Sequence, residues 1–113
     1  MKRMNILASL ALVTTISAAA VAAPQWTTSW DRILTLESFG DDVHIYGVNL
    51  SPNPAGCSNT SMAKVRYSLS AASKEALAMV LTSALLANRE VKLRLDDTFC
   101  QDGVPAVIGV QIQ

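Results

Sequence analysis

Histidine, cysteine and aromatic residues are all scarce in this sequence, and each scarcity excludes a class of function. A single histidine, His44, is too little to complete a zinc site, and no CxxC spacing offers the cysteines as a redox pair. No serine stands at a spacing from His44 that is typical of a catalytic triad. Asp96, Asp97 and Asp102 lack the alternating spacing of a calcium loop. The sequence therefore predicts no enzyme, no metal site and no cofactor.

Runs of like charge and a surplus of basic residues are also missing. Nine Lys and Arg residues balance nine Asp and Glu residues over the whole chain. Without Lys2 and Arg3, seven basic residues stand against nine acidic ones, a formal charge of −2. Binding to phosphate backbones depends on a basic field, so nucleic acid is not an expected partner.

Residues 1–22 carry the features of a secretory signal peptide. Lys2 and Arg3 precede an apolar stretch that ends in the small-residue sequence Ala-Val-Ala. A membrane anchor is the alternative, but the stretch is shorter than the ~20 residues of a spanning helix and is interrupted by hydroxyl-bearing residues. We expect cleavage after Ala22, which leaves one domain, residues 23–113, in the secreted or periplasmic space without a membrane span.

Cys57 and Cys100 are the only cysteines, and both follow the expected cleavage site. An even number of cysteines in an exported chain predicts a disulfide bond. Closing a loop of about 44 residues would stabilise the fold by roughly 4 kcal/mol in the chain-entropy description. That is a large share of the stability expected for so small a domain.

Hydrophobic periodicity predicts three strands, a helix and two further strands. The helix is expected to start at Ser73 as its N-cap and to end near Asn88, with apolar residues at helical spacing. From Val91 onward, apolar and charged residues alternate as in a half-buried strand. The other predicted strands are 32–37, 43–50, 64–69 with Val65, Tyr67 and Leu69 inward, and 106–113, and the predicted loops include 51–61 and 98–105.

This order of elements is that of an OB-fold, a five-stranded Greek-key barrel with a helix between the third and fourth strands. The predicted fold is therefore mainly β with one helix. The helix is apolar on more sides than one barrel can cover, which indicates a contact with another subunit. Met79, Val80 and Leu86 are the candidates for that outer helix face.

The OB order places the last strand between the third and the fourth, and this placement predicts a basic outer face. On this face, Lys64 and Arg66 would flank Gln111 on one side, and Lys92 and Arg94 would flank it on the other. Such a face suits a sialic-acid carboxylate or an acidic partner. The alternative, which we prefer, is a solvated strand face whose cations pair with nearby acids.

Two tryptophans, Trp26 and Trp30, precede the first predicted strand. They are interpreted either as a stacking platform for a sugar or base, or as a cover over the end of the core. The second interpretation is preferred, because large aromatic side chains bury most area per residue.

Three sequence segments resemble a known family. They are NPAGCSN around the first cysteine, ALLANREVKLRLDD across the helix-strand junction, and the final strand AVIGVQI. Together with the signal peptide, they resemble small exported OB-fold proteins similar to the B subunits of AB5 toxins of the subtilase cytotoxin and typhoid toxin types. The resemblance implies a ring of five subunits that binds cell-surface glycans.

Two functions are therefore expected from sequence. The first is an exported, non-enzymatic, oligomeric glycan-binding protein resembling a B subunit. The second is a monomeric periplasmic protein that binds or inhibits another protein.

Overall fold

A computed structural model describes residues 23–113; the expected signal peptide, residues 1–22, lies outside this range. Seven strands and one helix form the described part, which is mainly β as predicted. In chain order they are β1 (Gln25–Trp26), β2 (Asp31–Arg32), β3 (Thr35–Phe39), β4 (Asp42–Tyr46), β5 (Ala63–Val65), α1 (Ala71–Leu86), β6 (Glu90–Gln101) and β7 (Val104–Ile112). Within residues 23–113, no helix is both long and apolar enough to cross a membrane.

All seven strands belong to one mixed sheet, in the order β1-β6-β7-β5-β4-β3 with β2 also paired to β6. The last strand, β7, lies between β5 and β6 as predicted, parallel to β5 and antiparallel to β6. The sheet is not closed into a barrel, so that part of the fold prediction is wrong. β2 pairs with β6 and β3 pairs with β4, and the two residues between them, buried Ile33 and largely exposed Leu34, belong to neither strand.

Gly47 directly follows β4, which ends earlier than predicted. Because Gly47 has no side chain, Leu34 can approach its backbone closely. The Gly47 φ of +95° belongs to the left-handed region, which favours glycine. A Cβ at this position would lie 2.5 Å from Cγ of Leu34. The strand predicted over 43–50 therefore stops at Tyr46, and Leu34 packs against the glycine.

The helix α1 begins earlier than its predicted cap. Ser70, not Ser73, is the N-cap, and its hydroxyl oxygen accepts the Ser73 N–H at 3.1 Å. The two serines have the same capping chemistry, so sequence spacing alone does not separate them. Leu77, Leu81 and Ala84 form the buried stripe of the helix.

The core lies between α1 and the inner face of the sheet. The predicted alternation of β6 is confirmed, since Val91, Leu93 and Leu95 are completely buried. They pack with residues from every part of the sheet and from the helix, including Ile33, Ile45, Val65, Leu81 and Val107.

Two boundaries around the third and fourth predicted strands differ from expectation. β5 ends at Val65, so Tyr67, expected inward, is 56% exposed. The predicted loop 98–105 is instead a hairpin, in which β6 continues to Gln101. Asp102 and Gly103 both have positive φ, +52° and +80°, as a tight hairpin turn requires.

The predicted disulfide is confirmed: Cys57 is bonded to Cys100, with 5.7 Å between their Cα atoms. Cys57 is buried, and the side chain of Asn53 both accepts its N–H and donates to its carbonyl oxygen. The bond fastens the irregular segment after β4 to the far end of β6. Pro52 and Pro54 prevent a regular strand in this segment, so the bond ties an irregular stretch to the sheet.

Replacing either cysteine with alanine should lower the free energy of unfolding by about 4 kcal/mol, because the loop is no longer closed in the unfolded chain. Denaturant unfolding of the oxidised protein measures this change. The double variant Cys57→Ala/Cys100→Ala is the matched control and should lose no more than either single variant, since all three lack the same bond. A reactive thiol in the native, unreduced protein would contradict the bond itself.

Candidate functional site

The five residues of the predicted basic face do not form one continuous group. Lys92 lies opposite Gln111 and Arg94 lies opposite Gly109 in the register of β6 and β7. Lys64 lies opposite Ala106, which is about 16 Å along β7 from Gln111 at the usual strand rise. The prediction that Lys64 and Arg66 flank Gln111 is therefore wrong, because β5 pairs with the opposite end of β7.

Lys64 and Arg66 are also the two cations of this group that have carboxylate partners. Lys64 Nζ lies 2.9 Å from Oδ2 of Asp102. Arg66 donates to the buried carboxylate of Asp96 and to the hydroxyl of Ser68. For these residues the preferred sequence interpretation, cations paired with nearby acids, is confirmed.

Lys92 and Arg94 lie instead beside the two tryptophans. Lys92 Nζ is 5.0 Å from the ring centre of Trp30, and Arg94 Cζ is 6.0 Å from that of Trp26. Both distances are within the range of a cation–π interaction. Neither cation forms a salt bridge with any carboxylate of residues 23–113. We call Trp26, Trp30, Lys92, Arg94 and Gln111 the tryptophan–cation face.

The segment that carries the tryptophans is held to the edge of β6 by its backbone. Trp26 pairs with Arg94 across the β1–β6 ladder, so their side chains share one face of the sheet. Next to it, the Thr27 N–H donates to the Leu93 carbonyl at 2.8 Å, and the buried Thr27 hydroxyl accepts the Leu93 N–H at 3.0 Å. Sequence reasoning missed this pairing, because a two-residue strand carries no periodicity.

A second cluster of aromatic and polar side chains lies near the disulfide. Tyr67 and Phe99 meet edge to face at 5.8 Å, and the Arg66 guanidinium lies 5.1 Å from the Phe99 ring centre. The backbone here is fixed by buried Gln101, which accepts the Tyr67 N–H and donates to the Val65 carbonyl. This cluster differs from the tryptophan–cation face because its cation is already paired with Asp96.

Asp96 is a buried carboxylate whose oxygens accept hydrogen bonds from Arg66 and Thr98. Burial raises the pKa of its carboxyl, but the Thr98 N–H, the Thr98 hydroxyl and the Arg66 guanidinium favour the ionised form. The balance leaves the pKa below its ordinary value. Asp96 is therefore a structural carboxylate that remains ionised at neutral pH.

His44, the lone histidine, lies in β4 and has no catalytic surroundings. Its Nδ1 is 3.7 Å from Oε1 of Glu37, and its ring lies against Phe39. Among residues 23–113, no group of three or more His, Cys, Asp or Glu side chains converges as a metal site would require. The absence of enzymatic activity stays a prediction.

The outer side of α1 exposes apolar side chains, as its composition predicted. Met79 is 64% exposed and Leu86 is 81% exposed, whereas Val80 is half-buried. A mostly apolar groove of 340 Å³ runs between α1 and the β3–β4 hairpin, lined by residues that include Leu36 and Leu85. Met79 and Leu86 thus belong to the outer helix face, and Val80 does not.

No family model matches this chain, and no curated protein or solved structure resembles it significantly.

Replacing Asp96 with asparagine should lower the free energy of unfolding by about 2 kcal/mol at neutral pH, because a buried charge-assisted network loses its acceptor. Since the native pKa is depressed, this contribution is present above the unfolded-state pKa of about 3.9 and is lost as pH falls through the native value. Urea unfolding at several pH values measures both effects.

Asp97→Asn is the matched control, because Asp97 makes no side-chain hydrogen bond to the described residues. It should change stability little at any pH. An Asp96→Asn variant that is as stable as wild type at neutral pH, or a difference that does not shrink in acid, would contradict the assignment.

Proposed function

We propose that this chain is an exported, non-enzymatic binding protein that takes acidic glycans at the tryptophan–cation face. One observation carries the proposal: Lys92 and Arg94 lie beside Trp30 and Trp26 without a carboxylate partner among residues 23–113. The resemblance to B subunits of AB5 toxins supports glycans as the class of ligand.

The chemistry of the face suits a sugar that carries a carboxylate. An indole ring offers a flat apolar surface against which the C–H face of a sugar packs. A guanidinium or ammonium beside that ring binds a carboxylate by charge-assisted hydrogen bonds. The Gln111 side chain, opposite Lys92 and exposed, adds a neutral donor and acceptor for hydroxyl groups. Sialic acid combines all three requirements.

The disulfide supports the proposed compartment. Disulfides persist in oxidising environments such as the periplasm and the extracellular space, and are rare in the cytosol. The bond between Cys57 and Cys100 therefore agrees with secretion or export to the periplasm.

The exposed outer side of α1 supports an oligomer. Met79 and Leu86 lie about two turns apart on one side of the helix and are both exposed, and exposed apolar patches tend to mark an interface. In a closed ring of subunits, which the resemblance implies with five members, this side of the helix would lie against a neighbour. The same surface favours the second candidate, a monomer that binds or inhibits another protein, if no ring forms.

Binding of sialyllactose tests the ligand class. We expect the wild type to bind 3′-sialyllactose and to bind neutral lactose at least about tenfold more weakly, since lactose lacks the carboxylate. Lys92→Ala and Arg94→Ala should each weaken binding by about tenfold. Isothermal titration calorimetry on purified, disulfide-bonded protein measures these constants.

Lys74→Ala is the matched control for that titration, because Lys74 lies on α1, away from the face, and has no salt bridge within residues 23–113. It removes the same charge and should leave affinity unchanged. Equal affinity for sialyllactose and lactose, or no binding of either, would reject the acidic-glycan proposal.

Charged substitutions on α1 test the oligomer. Met79→Glu and Leu86→Glu should each give soluble, disulfide-bonded particles smaller than the wild type, because a buried charge is costly at a subunit contact. Analytical ultracentrifugation measures the masses. Ser73→Glu, on the first turn of the same helix where a negative charge is favourable, is the control and should keep the wild-type mass. A wild type that sediments as a monomer at high concentration would favour the second candidate.

A further inference from the structure

Gly109 lies in the interior of β7, where a glycine is unexpected. Glycine weakens a strand, because it loses more freedom on folding and has no side chain to pack. The backbone does not require it, since the positive φ values among the described glycines belong to Gly40, Gly47, Gly56 and Gly103. A different constraint therefore accounts for the residue.

That constraint is visible in the side chains above Gly109. It is the register partner of Arg94, which in turn pairs with Trp26 on the next strand. A Cβ at Gly109 would lie 3.2 Å from Arg94 Cβ, 3.5 Å from Trp26 Cη2 and 3.7 Å from Arg94 Cδ. The Cβ of Arg94 thus crowds this position, and a side chain larger than a methyl group would also meet the tip of the indole.

We propose that Gly109 is a positioning residue of the tryptophan–cation face and determines its affinity for acidic sugars. The missing side chain lets Trp26 and Arg94 lie side by side on the sheet, so that the ring and the guanidinium reach one ligand together. This inference rests on the proposed function and deepens it, because it names the residue that sets the spacing between stacking surface and carboxylate-binding group.

If Gly109 had only a structural role, the expected results would differ. If Gly109 mattered only for packing, larger residues would change stability and leave the orientation of Trp26 and ligand affinity alone. The contact of 3.2 Å is with Arg94 Cβ, so Arg94 must move by a few tenths of an ångström when a Cβ is added. Trp26 pairs with Arg94 across the β1–β6 ladder, so we expect its ring to shift with Arg94. The effect on binding should then exceed the effect on stability, since alanine otherwise suits a strand interior better than glycine.

The experiment is a graded series, Gly109→Ala and Gly109→Val, in the otherwise intact disulfide-bonded protein. The indole Nε1–H signal of Trp26, assigned with a Trp30→Phe variant, reports ring position by NMR. Titration with 3′-sialyllactose reports affinity, and thermal unfolding reports stability. Ile112→Ala is the control, because it changes the size of a partly exposed side chain at the end of the same strand.

We expect Gly109→Ala to shift the Trp26 signal and to weaken sialyllactose binding about tenfold, the loss of about one good contact. Gly109→Val should weaken it further, and Ile112→Ala should change neither reading. An unmoved Trp26 signal, or a moved signal with unchanged affinity, would overturn the inference. If Gly109→Val does not fold, Gly109→Ala decides the question.

Failure of the proposed function gives a different pattern. In that case the wild type itself binds no sialyllactose, and both the proposed function and the role of Gly109 in affinity are rejected. The Trp26 signal of Gly109→Ala still decides whether Gly109 positions the ring. A wild type that binds while Gly109→Ala binds equally well overturns only the role of Gly109.

Discussion

The alternation of side chains along β6 is the constraint on which the rest of this structure depends. Val91, Leu93 and Leu95 fill the core, and this burial fixes the strand in one register, since a slip by one residue would expose all of them. Lys92 and Arg94 must then lie on the opposite face. The same strand pairs with β1, β2 and β7, so its register also determines which residues of those strands lie beside Lys92 and Arg94.

Beyond Arg94 the register of β6 and β7 becomes irregular, and other interactions hold the chain there. Buried Asp96 accepts hydrogen bonds from Arg66 and Thr98, and Cys100 is bonded to Cys57. At this end of the strand Arg66 is paired with Asp96. At the other end, Lys92 and Arg94 interact with aromatic rings instead. The proposed ligand face therefore lies at the end of β6 where the cations have no carboxylate partner among residues 23–113.

Local sequence patterns were enough to predict the helix, the longest strand and the disulfide. Apolar spacing located α1, alternation located β6, and the even cysteine count, together with the expected export, predicted the disulfide. The strand order around β7 followed from the order of elements. What failed depended on long-range register: the barrel closure, the inward side chain of Tyr67, and the placement of Lys64 beside Gln111. The partnership of Trp26 with Arg94 was also missed, because two residues of β1 carry no signal of a strand.

The central claim, that acidic glycans bind at the tryptophan–cation face, is tested most directly by mapping where a sialylated sugar contacts the isotope-labelled protein by NMR. We predict saturable shifts of the Trp26 and Trp30 indole signals together with the Gln111 side-chain amide, and none at Tyr67 or Phe99. Shifts confined to the cluster of Tyr67 and Phe99, or to the outer side of α1, would contradict it.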